Sequence, residues 1–391
     1  MSQPATVTDL LQRANDRAPD RLVADVADAL APAGATHVAL YVVDYAQETL
    51  QPIGEPVGPV GGPAPVRIEG SMAGRSFQTQ KVVAAETSEG WRVWAPIRER
   101  AEQIGVLEVG FARRDEASSE LCEDLGRLIG HLVRTANRYT DLIEMRRRRG
   151  DMSLAAEVQW DMLLPPLAFR CPGLAIAAKL EPAYEVGGDA FDYAVNGDTF
   201  SFAFLDAMGH SLRSSLGSAV VLAGYRHGRR RGLDLPTTAC RIDESVQAEF
   251  DGELFVTGHI GQLDLPTGRL EWVNAGHPGP LVARGAHVVA QPTVEPCLPL
   301  GLGITDPVVG EYHLEPGDRI LYYSDGVVEA RPSGGQQFGV ERLVTLFERH
   351  LGDGLLAAEV LRRVVVEVFG HRADALQDDA SLMLIEWPGP E

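Results

Sequence analysis

Between Asp189 and Asp206 the chain alternates with a period of two. Phe191 and Tyr193 fall on one run, Phe200, Phe202 and Phe204 on the next, and Asn196-Gly197-Asp198 separates them. Two such runs around a glycine-containing turn read as a β-hairpin, because alternate side chains share a face and glycine accepts the backbone of a tight turn. The shared aromatic face predicts a buried layer. Two registers are open. If Gly197-Asp198 are the loop residues, Asp189 stands directly opposite Asp206; if Asn196-Gly197 are, Asp189 faces Phe204 and Asp206 is its diagonal neighbour. In both, two carboxylates meet at the rim of an apolar layer, and the hairpin contains no lysine or arginine. Such a pair needs a bound cation or protonation of one partner. Donors that are all oxygen select a hard ion, magnesium or manganese, over zinc.

Two further acids fall at strand ends. Leu321-Tyr322-Tyr323-Ser324 stops at Asp325-Gly326, and Asp378-Asp379 precedes the strand-like run Ser381–Ile385. Taken singly, an Asp-Gly pair is a turn and an Asp-Asp pair a cap or loop. Four acids at strand ends within one region point instead to a metal site. Two ions about 3.5–4 Å apart, bridged by carboxylates, would activate a water and hold a phosphoryl group for in-line attack.

A chain of 391 residues is long enough for two domains and a connector. Its formal charge of −20 argues against a general nucleic-acid binder, and the one basic run, Arg146 to Arg149, reads as a solvated helix face. Cys122, Cys171, Cys240 and Cys297 are widely spaced and form no Cys-x-x-Cys pair, so neither a zinc knot nor a disulfide framework is indicated. There is no signal-peptide pattern and no apolar run of ~18 residues, so a cytoplasmic protein without a membrane span is expected.

Residues 1–118 read as a small mixed domain. A helix runs through Leu10, Leu11, Leu22, Val26 and Leu30, followed by a strand His37 to Val43 and a Gly/Pro-rich loop from Gly54 to Pro65. Arg92–Pro96 and Gln103–Phe111 then flank the turn Arg98-Glu99-Arg100. Residues 119–166 read as a helical connector. Leu121, Leu125, Leu128, Leu132, Ala136, Tyr139 and Ile143 form a stripe that can pair two protomers as a homodimer or lie on its own domain. A second helical segment, Leu154 to Leu164, must stop at Pro165-Pro166. From 167 to 391 strands dominate until about 325, with a second hairpin turn at Pro266-Thr267-Gly268 and helical patterns at Leu212–Arg229, Gly339–His350 and Leu355–Phe369. Hairpins with helices segregated between them predict an α+β fold of antiparallel layers.

Five segments, taken in order, carry a resemblance: Val186-Gly187-Gly188-Asp189-Ala190-Phe191-Asp192, Asp206-Ala207-Met208-Gly209-His210, Asn274-Ala275-Gly276-His277-Pro278, Tyr323-Ser324-Asp325-Gly326-Val327-Val328-Glu329-Ala330 and Asp378-Asp379-Ala380-Ser381. Together they resemble the bacterial SpoIIE-type branch of the PPM serine/threonine phosphatases, across about residues 155–388. Glu157-Val158-Gln159 through Leu163-Leu164-Pro165 resembles the helix that leads into that domain. The resemblance implies two antiparallel sheets packed as a sandwich, flanked by helices, with a centre of two manganese or magnesium ions at one end. By position Asp189 would bridge both ions, Asp206 and the carbonyl of Ala207 would hold one, and Asp325 and Asp378 would complete the other side. Asp189 and Asp206 are thus the candidate catalytic residues, with Asp192 and Asp379 held in reserve as water-mediated members.

The family usually reads Gly-His-Gly where this chain has Gly209-His210-Ser211, and Ser211 is a reasonable N-cap for the next helix. No arginine stands out as a phosphate grip; Lys179 and His210 are the weak candidates. In this family the segment around His277 is mainly a structural turn. The implied activity is a cytoplasmic phosphoserine/phosphothreonine protein phosphatase using activated water, with no covalent intermediate. Its implied substrate is a phosphorylated anti-sigma-factor antagonist. The order of elements in about residues 6–140 resembles a GAF sensory domain, which implies a small ligand or signal acting through the connector. The competing reading is an inactive GAF/phosphatase-like scaffold that titrates a signalling partner.

Overall fold

In the computed structural model, which describes residues 3–57, 64–114, 116–181, 184–185, 187–209, 211–331, 336–369 and 379–390, three antiparallel sheets divide between two units, Met1–Asp151 and Met152–Glu391. The first unit contains α1 (Gln3–Asp16), α2 (Leu22–Leu30), β1 (Ala35–Val43), β2 (Thr49–Val57), β3 (Val66–Arg67), α3 (Met72–Thr79), β4 (Val83–Thr87), β5 (Gly90–Glu99), β6 (Glu102–Phe111), α4 (Glu116–Ala136) and α5 (Leu142–Arg147). Its sheet runs β3-β2-β1-β6-β5-β4. One face packs on α2 and α4 through Val26, Leu30, Leu40, Leu107, Leu125 and Ile129; the other carries Tyr41, Trp94 and Val106 against Phe77 of α3.

Two expectations for this unit change. Residues 54–57, read as the start of a loop, belong to β2, where the register against β1 shifts between Val38 and Leu40. The stripe at 121–143 is not one helix. Leu121, Leu125 and Ala136 are buried in the unit's own core, α4 ends at Ala136, and Tyr139 is 76% exposed. The division between the units falls at 151/152, inside the stretch read as a connector.

The second unit contains α6 (Leu154–Glu157) with a π-helical turn at Val158–Leu163, β7 (Ala168–Cys171), β8 (Leu174–Glu181), β9 (Ala190–Asn196), β10 (Thr199–Ala207), α7 (Leu212–Arg230), α8 (Leu235–Phe250), β11 (Val256–Asp264), β12 (Arg269–Ala275), β13 (Leu281–Arg284), β14 (His287–Ala290), β15 (Val309–His313), β16 (Asp318–Tyr323), α9 (Asp325–Glu329), α10 (Val340–Gly352), α11 (Ala357–Phe369) and β17 (Ala380–Trp387). Its sheets run β15-β12-β11-β10-β9 and β14-β13-β16-β17-β8-β7. The aromatic face expected of the hairpin is the filling between them: Phe191, Phe200, Phe202 and Phe204 pack with Trp272, Tyr322, Met383 and Ile385. The outer face of the five-stranded sheet buries Ala203 and Leu205 under Val221, Tyr225, Ile242 and Val246 of α7 and α8.

This is the α+β sandwich of antiparallel layers predicted above. At one end of it Trp387 Nε1 donates to the carbonyl of Leu265 at 2.9 Å, tying the last residue of β17 to the turn after β11. Among the described residues, no helix is long and apolar enough to cross a membrane.

Candidate metal centre

The hairpin adopts the first of the two registers. Thr199 pairs with Asn196, Phe204 with Phe191 and Leu205 with Ala190, so the ladder ends one residue short of Asp189 and Asp206, which it aims at each other. Asp189 is 1% exposed, and its Oδ2 has no hydrogen-bond partner among the described residues. Burial, then the charges of Asp206 and Asp379, push its carboxyl well above the usual carboxylate range. The hydroxyls of Ser381 and Ser324 offset this in part, although Ser381 Oγ completes no hydrogen bond.

The loop before Asp189 has to be glycine. A Cβ on Gly188 would lie 2.5 Å from the carbonyl oxygen of Ala207 and 2.8 Å from that of Gly209. The N–H groups of Gly187 and Gly188 both donate to Asp379 Oδ2, at 2.7 and 2.5 Å. Their carbonyls accept from Ser215 and Ser218 of α7. Asp379 therefore acts as the staple of this loop, on the rim of the other sheet. Ser211 caps α7 with φ −108°, a backbone any residue adopts, so the missing family glycine costs nothing there.

Asp325 opens α9 and is exposed. It is held beside β17 by two hydrogen bonds, from Ser324 N–H to the Ser381 carbonyl at 3.0 Å and from Ser381 N–H to Ser324 Oγ at 2.9 Å. Gly326 packs so tightly on Asp379 that a Cβ would sit 1.9 Å from its carbonyl oxygen. Asp189, Asp206, Asp325 and Asp379 thus gather at one end of the sandwich, two from each sheet. Asp378 and His210 lie outside the described residues. Among the described residues, no three His, Cys, Asp or Glu side chains stand together at metal-ligand spacing.

Two reserve assignments need correction. Asp192 lies on the helix side of β9, paired with Arg226 at 2.9 Å and Arg229 at 2.8 Å, so its charge is already matched. Lys179 is buried and paired with Glu181 at 2.8 Å, so it does not present a phosphate grip. His277 is a turn residue, as expected: its N–H donates to Asn274 Oδ1 at 2.8 Å, and its carbonyl accepts from Asn274 Nδ2 at 3.0 Å.

The sequence reading missed Gln159, whose side-chain amide donates to the carbonyl of Asp189, together with Ser215 and Ser218. The helical spacing of the two serines to one side of α7 was the available signal; for Gln159 there was none.

Residues 196–388 match the family described as Stage II sporulation protein E (SpoIIE). The chain is 24% identical over 243 residues to the phosphoserine phosphatase RsbU of Bacillus subtilis, covering 61% of this chain and 70% of that protein. It is 22% identical over 306 residues to protein IcfG of Synechocystis, covering 67% of this chain but 46% of that protein. A solved structure of the RsbU and RsbW domains of Rv1364c from Mycobacterium tuberculosis superposes with a TM-score of 0.49 at 24% identity, over 56% of this chain and 63% of that one. The family match over residues 196–388, the RsbU relative and the sandwich of two antiparallel sheets agree, and together they support a SpoIIE-type protein phosphatase domain of the PPM superfamily in the C-terminal part of this chain.

Proposed function

We propose that this domain hydrolyses phosphoserine or phosphothreonine on a protein, at a centre of two manganese or magnesium ions held by Asp189, Asp206, the carbonyl of Ala207, Asp325 and Asp378. The observation that carries the reading is Asp189 Oδ2, a buried carboxylate oxygen with no hydrogen-bond partner among the described residues, beside a second carboxylate. A divalent cation is the partner such an atom lacks. The donor set, all oxygen, fits a hard ion. When bound, the ions would supply activation of water and neutralisation of phosphoryl charge.

The chain's own residues supply the frame. Asp379, Ser215 and Ser218 hold the Gly187-Gly188 loop so that Asp189 cannot turn away from Asp206. Ser324 and Ser381 fix the strand end from which Asp325 projects. The sequence has no Cys-x5-Arg loop that would supply a covalent nucleophile, and direct attack by water is the reaction this frame would serve.

The substrate we infer is a phosphorylated anti-sigma-factor antagonist in the cytoplasm, in keeping with the phosphoserine phosphatase RsbU among the relatives. The N-terminal unit, a six-stranded antiparallel sheet with helices on its faces, supports reading it as a GAF-like sensor that responds to a small ligand.

Hydrolysis of para-nitrophenyl phosphate, with manganese and with chelator, tests the reading. Turnover should appear only with manganese, and Asp189→Asn and Asp206→Asn should each lower it about 100-fold or more while the protein stays folded. A variant with near-normal turnover defeats the assignment. A folded wild-type protein inactive with manganese would leave the scaffold reading in its place.

A further inference from the structure

The segment leading into the sandwich runs into two prolines. Pro165 and Pro166 carry no N–H, so carbonyls one turn earlier lose their helical donors. Ahead of them α6 gives way at Val158–Leu163 to a π-helical turn, closed by Leu164 N–H donating to the Gln159 carbonyl at 3.1 Å. Such turns are rare and recur at functional sites because the extra residue re-aims a side chain.

Here the re-aimed side chain is Gln159. It is fully buried, and its Nε2 donates to the backbone carbonyl of Asp189. At the far end of the turn, Arg226 Nη2 donates to the Leu163 carbonyl at 2.7 Å and to Asp192 at 2.9 Å. The segment is thereby fastened along β9 at both ends, once at the residue that starts the site and once three residues on.

Asp189 lies one residue beyond the last registered pair of the hairpin. The peptide before it is tied to β10 by Ala207 N–H donating to the Gly188 carbonyl at 3.4 Å, and its own carbonyl is held by Gln159. The glutamine is a poor choice for stability: its Oε1 is buried with no hydrogen-bond partner among the described residues, and a buried unsatisfied acceptor is destabilising. A methionine of the same length would fill the space and remove that orphan oxygen, while leaving the Asp189 carbonyl without its donor. Keeping an amide here is explained by the one donor it aims at Asp189.

We infer that Gln159 is a positioning residue, held by the π-helical turn, that sets the backbone of Asp189 and through it the direction of the carboxylate. The inference rests on the proposed role of Asp189 only in its consequence for metal binding.

The full chain carrying Gln159→Met tests it, with Gln159→Leu as a second apolar replacement. In chelator the thermal midpoint should stay close to that of the wild type, since one buried acceptor without a donor replaces another, while amide exchange at residues 187–190 quickens at least about ten-fold. With manganese, calorimetry should show affinity weakened about 10–100-fold, with kcat at saturating manganese largely restored. Unchanged exchange and unchanged affinity overturn the inference. So does a thermal midpoint that falls in step with faster exchange, since that assigns Gln159 to packing. If the wild type itself binds no manganese, the proposed metal centre fails on that arm, and the exchange arm still decides the role of Gln159.

Discussion

His277 sits where a catalytic histidine would be sought, but both its ring nitrogens are committed. Nε2 lies 3.1 Å from the Tyr323 carbonyl, which can only accept, so Nε2 carries the proton and Nδ1 accepts from Thr257 Oγ1 at 2.9 Å. Burial, then the neighbouring His259, lowers its pKa to about 3, and burial lowers that of His259 to about 4. Both folded values lie below the ordinary 6.5, so between them the unfolded chain binds more protons and stability rises with pH. The contribution is present above about pH 6.5 and is lost as pH falls through the 6.5 to 4 range. Between pH 7 and 5 each histidine should cost about 2 kcal/mol of stability. Urea unfolding at several pH values checks this: His259→Gln should flatten the slope by about one proton, and an unchanged slope refutes it. At this scale the sequence was legible where partners are local. The Asp189–Asp206 pairing followed from strand counting across one turn. The fate of Asp192 did not, because its arginines come from a helix beyond the hairpin.

The clearest omission among the elements is α8, though its start is written in the sequence. Asp234 caps it, accepting from Thr237 N–H at 2.7 Å, Pro236 sits in the first turn, and Leu235, Ala239, Ile242 and Val246 keep a helical apolar spacing. It lies between the long helix α7 and the strand-rich stretch that begins at β11. What no pattern could reveal is the work of Asp243. From the middle of α8 its buried carboxylate accepts N–H bonds from Gly301 at 2.7 Å, Gly303 at 3.1 Å and Ile304 at 3.1 Å, fixing the loop whose Leu300 bridges Val256, the partner of Ala207. Asp243→Ala strands three N–H groups and should destabilise the domain by about 3 kcal/mol or more, read by thermal or urea unfolding. A loss under about 1 kcal/mol would mean that the loop finds other acceptors. The stretch 154–164 was legible as helical and as ending at Pro165. Its widening into a π-helical turn was not, since that depends on what the last carbonyls meet in space.

For the molecule as a whole, each unit buries its own core, so calorimetry should resolve two transitions, of which manganese raises only the one belonging to residues 152–391. At 100 times the dissociation constant the stabilisation is about 2.7 kcal/mol; an equal shift of both transitions, or of neither, contradicts the proposed centre. The α+β class was readable because the hairpins at Gly197 and Gly268 are short-range signals. The pairing of β8 with β17 was not, because it joins opposite ends of the domain. The sandwich is pinned at one end by Trp387 on Leu265 and lined at the other with acids from both sheets. At that acidic end the sheets are tied by the Gly187 and Gly188 N–H groups on Asp379 and by His277 on the Tyr323 carbonyl, so like charge there acts as a wedge against those ties and a divalent ion would be the rivet. Stripping the ion should therefore do more than halt turnover: it should loosen the acidic mouth while the tryptophan hinge stays shut.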